Sequence, residues 1–308
     1  MLRKILIAVD GSIHSQNALA YAAGLFRQTA EVQFTIFNVQ PIVSQYLLDE
    51  ARIDPRAYND LQRLINRQTA ESNEMLESAR GRFIRMGIDP GRINVVSQVR
   101  MQGQAKDIID YAHKHLFDAI VLGRRGLSRV QKAFMGSTSA KVMEHAAAIP
   151  VWIIDGEVQA NNILAAVDAS SASLGMVDYL AFMLGGHPEI RLTFYHIDEM
   201  PAGTGPAVDS PEEVLAAMGV RGERSWQERF QKAANERLKA AGIEDSRIDQ
   251  LSVPRTGRIA KMILEQVQAG DYGTVVLGRR GAGNAFFFGS VSHYVSEHMT
   301  DRAVWIVG

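Results

Sequence analysis

The 308 residues are enough for two domains that each bury a core, at roughly 150 residues per domain. With 46% hydrophobic and 22% charged residues the composition is that of an ordinary globular protein, which excludes a disordered chain, collagen and long coiled coil. The net charge of −1 gives no reason to expect nucleic acid or a membrane as partner, and the absence of cysteine excludes disulfides, thiol nucleophiles, zinc fingers and iron–sulfur clusters.

Residues 3–9 form a short apolar run of the kind shown by a strand covered on both faces. Only five apolar residues, 5–9, stand between Lys4 and Asp10, fewer than the roughly 7–15 of a signal peptide. No run approaches the roughly 18 of a membrane span, so the expectation is a soluble cytoplasmic protein. Ser12 is placed to cap a helix carrying Ala18, Leu19, Ala22, Ala23 and Leu25 on its inner side. A strand at 32–39, a long amphipathic helix at about 56–86 and a strand at 92–99 follow. A helix near 104–115, a strand at 118–122, a helix at 137–147 and a strand at 150–154 come next.

The pattern then starts again. ILIAVDGS at 5–12 returns as ILAAVDAS at 163–170, with six of eight positions identical. Gly87-Ile88 with Arg92-Ile93 returns as Gly242-Ile243 with Arg247-Ile248, and VLGRRG at 121–126 returns unchanged at 276–281. Gly136-Ser137 matches Gly289-Ser290, and Val151-Trp152-Ile153 matches Val304-Trp305-Ile306. These matches are collinear, so the chain reads as two copies of one domain, 1–155 and 156–308, with Asp155-Gly156-Glu157 as the linker. Strands of the second copy are predicted near 162–167, 190–197, 247–253, 273–277 and 303–307. Five strands alternating with four helices predict, for each copy, a doubly wound α/β domain with a five-stranded parallel sheet. Ligands of such sheets bind beyond the C-terminal strand ends, where Asp10, Val39 and Gly123 fall in copy one and Asp168, Ile197 and Gly278 in copy two.

The chemistry concentrates after the fourth strand. Gly123-Arg124-Arg125-Gly126 is followed by nine residues, and then Gly136-Ser137-Thr138-Ser139 opens a helix. Glycines let the backbone approach a ligand, and a helix N-terminus attracts anionic oxygens, to which Ser137 and Ser139 hydroxyls would add hydrogen bonds. The same residues also read as a connecting loop in which glycines turn the chain and Ser137 caps the helix. No Walker A spacing occurs, and Gly281-x-Gly283 lies after the fourth strand with Phe286 at its closing position, so it is no dinucleotide fingerprint.

Gly-x2-Gly-x9-Gly-Ser after the fourth strand, with Ala8-Val9-Asp10 ending the first, resembles the ATP-binding branch of the universal stress protein family, and the tandem arrangement resembles its two-domain members of the E type. The resemblance covers nearly the whole chain twice. It implies a strand order of 3-2-1-4-5, cytoplasmic location and induction under stress. It also implies ATP contacts at Ala8, Val9, Asp10 and Val39 for adenosine and at Leu122, Gly123, Gly126, Gly136, Ser137, Thr138 and Ser139 for phosphates. A divalent cation such as Mg often accompanies the triphosphate in these relatives.

Copy two departs from this pattern. Only seven residues separate Gly281 from Gly289-Ser290, and they include Phe286, Phe287 and Phe288. Its equivalents are Asp168, Ile197, Gly278, Gly281, Gly289 and Ser290; the expectation is poor nucleotide binding or a more apolar ligand, set against a shorter loop that still wraps phosphates. Residues 1–154 carry net +5 and 155–308 net −6, which suits an anion site in the first half and docking between halves, or simply a solvated surface. Arg124, Arg125, Arg279 and Arg280 are candidates to neutralise phosphate, or face water. His113 and His115 point apart on one helix, His293 and His298 are no better placed for a metal, and His14 reads as an exposed helix-start residue. The segments around 41–56 and 200–222 either cover the ligand mouth or are surface loops.

The apolar last strands, with Trp152 and Trp305, would sit at sheet edges that need a cover. Pairing of the two copies into a pseudo-dimer is the simplest solution; pairing between chains, giving a homodimer, is the alternative. The functional expectation is therefore an ATP-dependent stress switch acting through copy one. Slow ATP hydrolysis or phosphotransfer with Asp10 as the outside candidate for a base, and a scaffold that does not use ATP, are the other two readings.

Overall fold

The computed structural model describes residues 1–125, 135–168, 170–198, 228–279 and 289–308. Two compact units divide the chain, residues 1–159 with 300–303 and residues 160–299 with 304–308.

The first repeat runs β1 (Arg3–Ala8), α1 (Ile13–Phe26), β2 (Val32–Val39), α2 (Gln45–Glu50), α3 (Pro55–Arg85), β3 (Ile93–Gln98), α4 (Gln104–Lys114), β4 (Ala119–Gly123), α5 (Ser137–His145) and β5 (Val151–Ile154). Its strands are parallel in the order β3-β2-β1-β4-β5, with β1 bonded to both β2 and β4. The second repeat runs β6 (Asn162–Val167), α6 (Ser171–Leu184), β7 (Arg191–Asp198), a helix α7 described over 228–240, β8 (Ile248–Pro254), α8 (Ile259–Ala269), β9 (Thr274–Gly278), α9 (Ser290–His298) and β10 (Ala303–Val307). Its strand order is β8-β7-β6-β9-β10. The tandem α/β architecture expected from the sequence is thus present, with described element ends mostly within one or two residues of the predicted ones. The short α2 was not foreseen; none of its residues is buried, so no apolar periodicity announces it.

Local chemistry explains the elements. The Ser12 side chain caps α1 by accepting from Ser15 N–H at 3.2 Å, and Asp54 caps α3 by accepting from Arg56 N–H at 2.8 Å with Pro55 behind it. The 31-residue α3 buries Leu61, Ser72, Leu76 and Phe83 along one stripe. It ends at Gly87 (φ +97°), whose N–H donates to Ile84 C=O at 2.9 Å while Ile88 N–H donates to Phe83 C=O at 3.3 Å. The second repeat closes α7 the same way, with Gly242 (φ +83°) bonded to Lys239 and Ile243 to Leu238. This is the Schellman ending, with a left-handed glycine and a buried apolar residue after it. The repeated Arg92 and Arg247 then donate to backbone carbonyls, of Val32 and Phe26 in one repeat and of His187 and Gly242 in the other. These recurrent residues are therefore structural.

The core of the first repeat centres on Trp152, fully buried, stacked on Phe26 at 6.1 Å and edge-on to Tyr21 at 6.4 Å. Trp305 is equally buried and meets Tyr179 edge-on at 6.3 Å. Both rings serve the cores of their own repeats.

Candidate functional site

A cleft of about 360 Å3 opens at the C-terminal edge of the first sheet, where strand order reverses between β1 and β4. Ala8, Val9 and Asp10 from the end of β1, Val39 from β2, and Leu122 and Gly123 from β4 line it. Gly136, Ser137, Thr138 and Ser139 at the start of α5 complete the lining. Gly126 lies outside the described residues; every other first-copy residue predicted for the site lines this one cleft. Residues 41–56 contribute none of its lining, and 200–222 lie outside the described residues.

Asp10 accepts from Ser12 N–H at 3.0 Å, which places its carboxyl between the end of β1 and the start of α1. Gly123 is required by space, since a Cβ there would stand 2.5 Å from the His14 carbonyl carbon. Gly136 is the N-cap of α5 and supplies no side-chain cap, so the first-turn N–H groups remain available to an anion. The Ser139 hydroxyl, expected on phosphate, instead donates to Gly123 C=O at 2.8 Å and ties α5 to the end of β4. Ser292 repeats that bond to Gly278 in the second copy.

The arginine pair divides its work. Arg124 is buried and bonded to Asp155 at 3.0 Å, while Arg125 lines the cleft and lies 4.0 Å from the same carboxylate. Asp155, expected in a linker, is a buried counter-ion, and His14 Nδ1 lies 4.0 Å from it. Arg279 is likewise buried; Arg280 and Gly281 lie outside the described residues, as do Phe286, Phe287 and Phe288.

Sequence reasoning missed Asn38, Phe37, Ser15, Gln104 and Ile108 in the cleft wall. Asn38 is buried and donates to Val9 C=O at 2.7 Å, while Ser72 donates to its Oδ1 at 2.8 Å. With the Ser72 proton given to Asn38, the Ser97 hydroxyl donates to Ser72 Oγ at 2.7 Å and Gln40 donates to Ser97 at 2.8 Å, so α3, β2 and β3 jointly hold the cleft floor. A polar residue closing the apolar run of 32–39 was the available signal. Phe37 is backed by Tyr111, stacked at 4.5 Å, whose hydroxyl burial pushes above the usual tyrosine value.

In the second repeat Asp168 accepts from Ser170 N–H at 3.1 Å and the Ser173 hydroxyl at 2.7 Å. Burial would raise this carboxyl, but the hydrogen bonds from Ser170 and Ser173 together outweigh it and hold it below the usual carboxylate value. His196 stands where copy one has Asn38, its Nδ1 2.9 Å from Val167 C=O and its Nε2 3.3 Å from Asp198. His196, Val167, Phe194 and Phe230 line a cavity of only about 20 Å3. Ile197 lies within β7, Gly278 ends β9, and Gly289 and Ser290 begin α9.

The family model described as universal stress protein family matches twice, over residues 1–155 and 160–307. The chain belongs to the universal stress protein family. A universal stress protein of Mycolicibacterium smegmatis is 23% identical over 307 residues, spanning 96% of this chain and 94% of its own length. YxiE, a universal stress protein of Bacillus subtilis, is 28% identical over 155 residues, half of this chain and 99% of its own. Among solved structures, a universal stress protein of Archaeoglobus fulgidus is similar over 99% of this chain and 97% of its own, with a TM-score of 0.64 and 19% identity. That likeness concerns the fold. Among the described residues, no helix of this family member is long and apolar enough to cross a membrane.

Proposed function

We propose that the first repeat binds ATP and that the protein works as a cytoplasmic, nucleotide-responsive stress switch. The observation that carries this reading is the convergence of three strand ends and the uncapped start of α5 on one cleft of about 360 Å3, within the roughly 300–1,000 Å3 range of small-ligand sites. Adenosine would lie against Ala8, Val9, Asp10 and Val39, with Asn38 fixing the floor. The phosphates would meet the N–H groups of Ser137, Thr138 and Ser139, with Gly123, Gly126 and Gly136 allowing close approach and Arg125 adding charge. Mg would ride on the triphosphate; Asp10 is the carboxylate among the cleft-lining residues. Among the described residues that line the cleft there is no histidine, and a binding role rather than fast hydrolysis is the reading we favour. The second repeat, with His196 in place of Asn38 and a shortened loop, would take nucleotide poorly or accept a more apolar ligand. The apolar last strands remain the surface through which we expect the repeats, or two chains, to pair.

Calorimetric titration of nucleotide-stripped protein with Mg-ATP tests this. One site per chain is the expected stoichiometry. Two equal sites would overturn the assignment of a weak second copy, and no heat of binding at any accessible concentration would overturn the ATP reading itself.

A further inference from the structure

Beside the cleft lies a larger groove of about 660 Å3 between α4 and α5. The two cavities share Gln104, Ser137 and Thr138, and the Thr138 hydroxyl donates to Gln104 Oε1 at 3.0 Å on their common rim. A ligand chain leaving the phosphate end of the cleft thus passes over the start of α5 directly into the groove.

The groove is cationic. Arg100, Lys106 and Lys141 line it against one carboxylate, Asp110, which Lys106 already approaches at 3.4 Å, and the His113 and His145 imidazoles stand beside them. Arg100 Nε is buried and has no hydrogen-bond partner among the described residues. The loop that carries Arg100 is held in place from below. Asp107, buried, accepts from the N–H groups of Met101 at 2.9 Å, Gln102 at 3.0 Å and Gly103 at 3.4 Å. His145 is similarly oriented, its Nδ1 2.8 Å from Lys141 C=O, which leaves Nε2 and the ring face for contact. A triphosphate seated in the cleft does not need this second volume or this charge.

We infer that the groove is a subsite for the far end of a longer nucleotide, a dinucleoside polyphosphate whose first adenosine occupies the cleft. This rests on the reading of the cleft as an adenine-nucleotide site. Arg100 and Lys141 would take the distal phosphates, and the imidazoles of His113 and His145 would offer faces for the second base.

Diadenosine tetraphosphate, ATP and inorganic tripolyphosphate are titrated calorimetrically into wild type and into Lys141→Glu and Arg100→Gln variants, whose folding is checked by circular dichroism. Neither side chain lines the cleft. Diadenosine tetraphosphate is expected to bind wild type at least about tenfold more tightly than ATP, and each variant to erase most of that gain while ATP affinity stays within about twofold. The gain is expected to shrink as salt rises. Equal affinity for the two nucleotides, or equal weakening of both by the variants, would overturn the subsite and leave the cleft reading standing. Tripolyphosphate binding as tightly as the dinucleotide would overturn the role of the second nucleoside. Failure of ATP to bind at all would overturn the cleft reading and this inference with it.

Discussion

Gly123 shows how one atom can decide a site. With a Cβ 2.5 Å from the backbone of His14, Gly123→Ala must push α1 away from β4, and both elements form the cleft wall. Overpacking of this kind costs about 1–3 kcal/mol, to be read from urea denaturation, and ATP affinity should fall with it. An unchanged denaturation midpoint would mean that α1 yields easily there. Asp168 gives a pH signature. Its folded carboxyl lies below the unfolded value of about 3.9, so its stabilisation is present at neutral pH and is lost as pH falls through the folded value. Asp168→Asn should therefore be least stable relative to wild type near pH 7, and the difference should narrow in strongly acidic solution. A gap that stays constant with pH would show that the charge is not what Ser170 and Ser173 stabilise.

At the scale of elements, the two Schellman endings set where the long helices stop and the third strand of each repeat begins. Gly87→Ala and Gly242→Ala each force a left-handed backbone on a residue with a side chain, at a cost of about 1–2 kcal/mol by chemical denaturation. Nucleotide affinity should hold in both variants, because neither glycine borders the cleft. The α5 helix makes the contrasting case. Its start at Gly136 has no side-chain cap, as at Gly289 of α9, and the bond from Ser139 to Gly123 anchors it to the sheet. On the proposed reading, the anchoring hydroxyl of Ser139 and the N–H groups that would meet phosphate are different groups of the same turn.

For the whole molecule, sequence duplication has kept the scaffold and altered the sites. Both repeats conserve strand order, helix endings and the serine anchor, whereas Asn38 has become His196 and the loop after the fourth strand has shortened. Hydrogen exchange with and without Mg-ATP should show this asymmetry. Protection is expected at 8–12, 122–125 and 136–140, and none at 168–173 or 289–292; comparable protection in the second set would mean that both repeats bind.

The tandem repeat, the alternation of strand and helix and the glycine spacing were legible because each is a local or periodic property: apolar runs, caps and turn residues act on neighbours in the chain. The same holds for the strand ends that line the cleft, since parallel crossovers bring Asp10, Val39 and Gly123 to one edge whatever the side chains beyond them do. Sequence alone left Arg124 as a phosphate candidate and Asp155 as linker, because the buried pair they form joins residues 31 apart and depends on how β4 and β5 align. Asn38, Ser72 and Ser97 were similarly invisible as a network, since each comes from a different element and is a partner to the others only after the sheet and α3 have packed. The groove between α4 and α5 belongs to the same class. Arg100 and Lys106 lie on α4 and the loop just before it, Lys141 on the sequence-distant α5, and their convergence is a matter of tertiary packing, which fixes distances that no local pattern encodes.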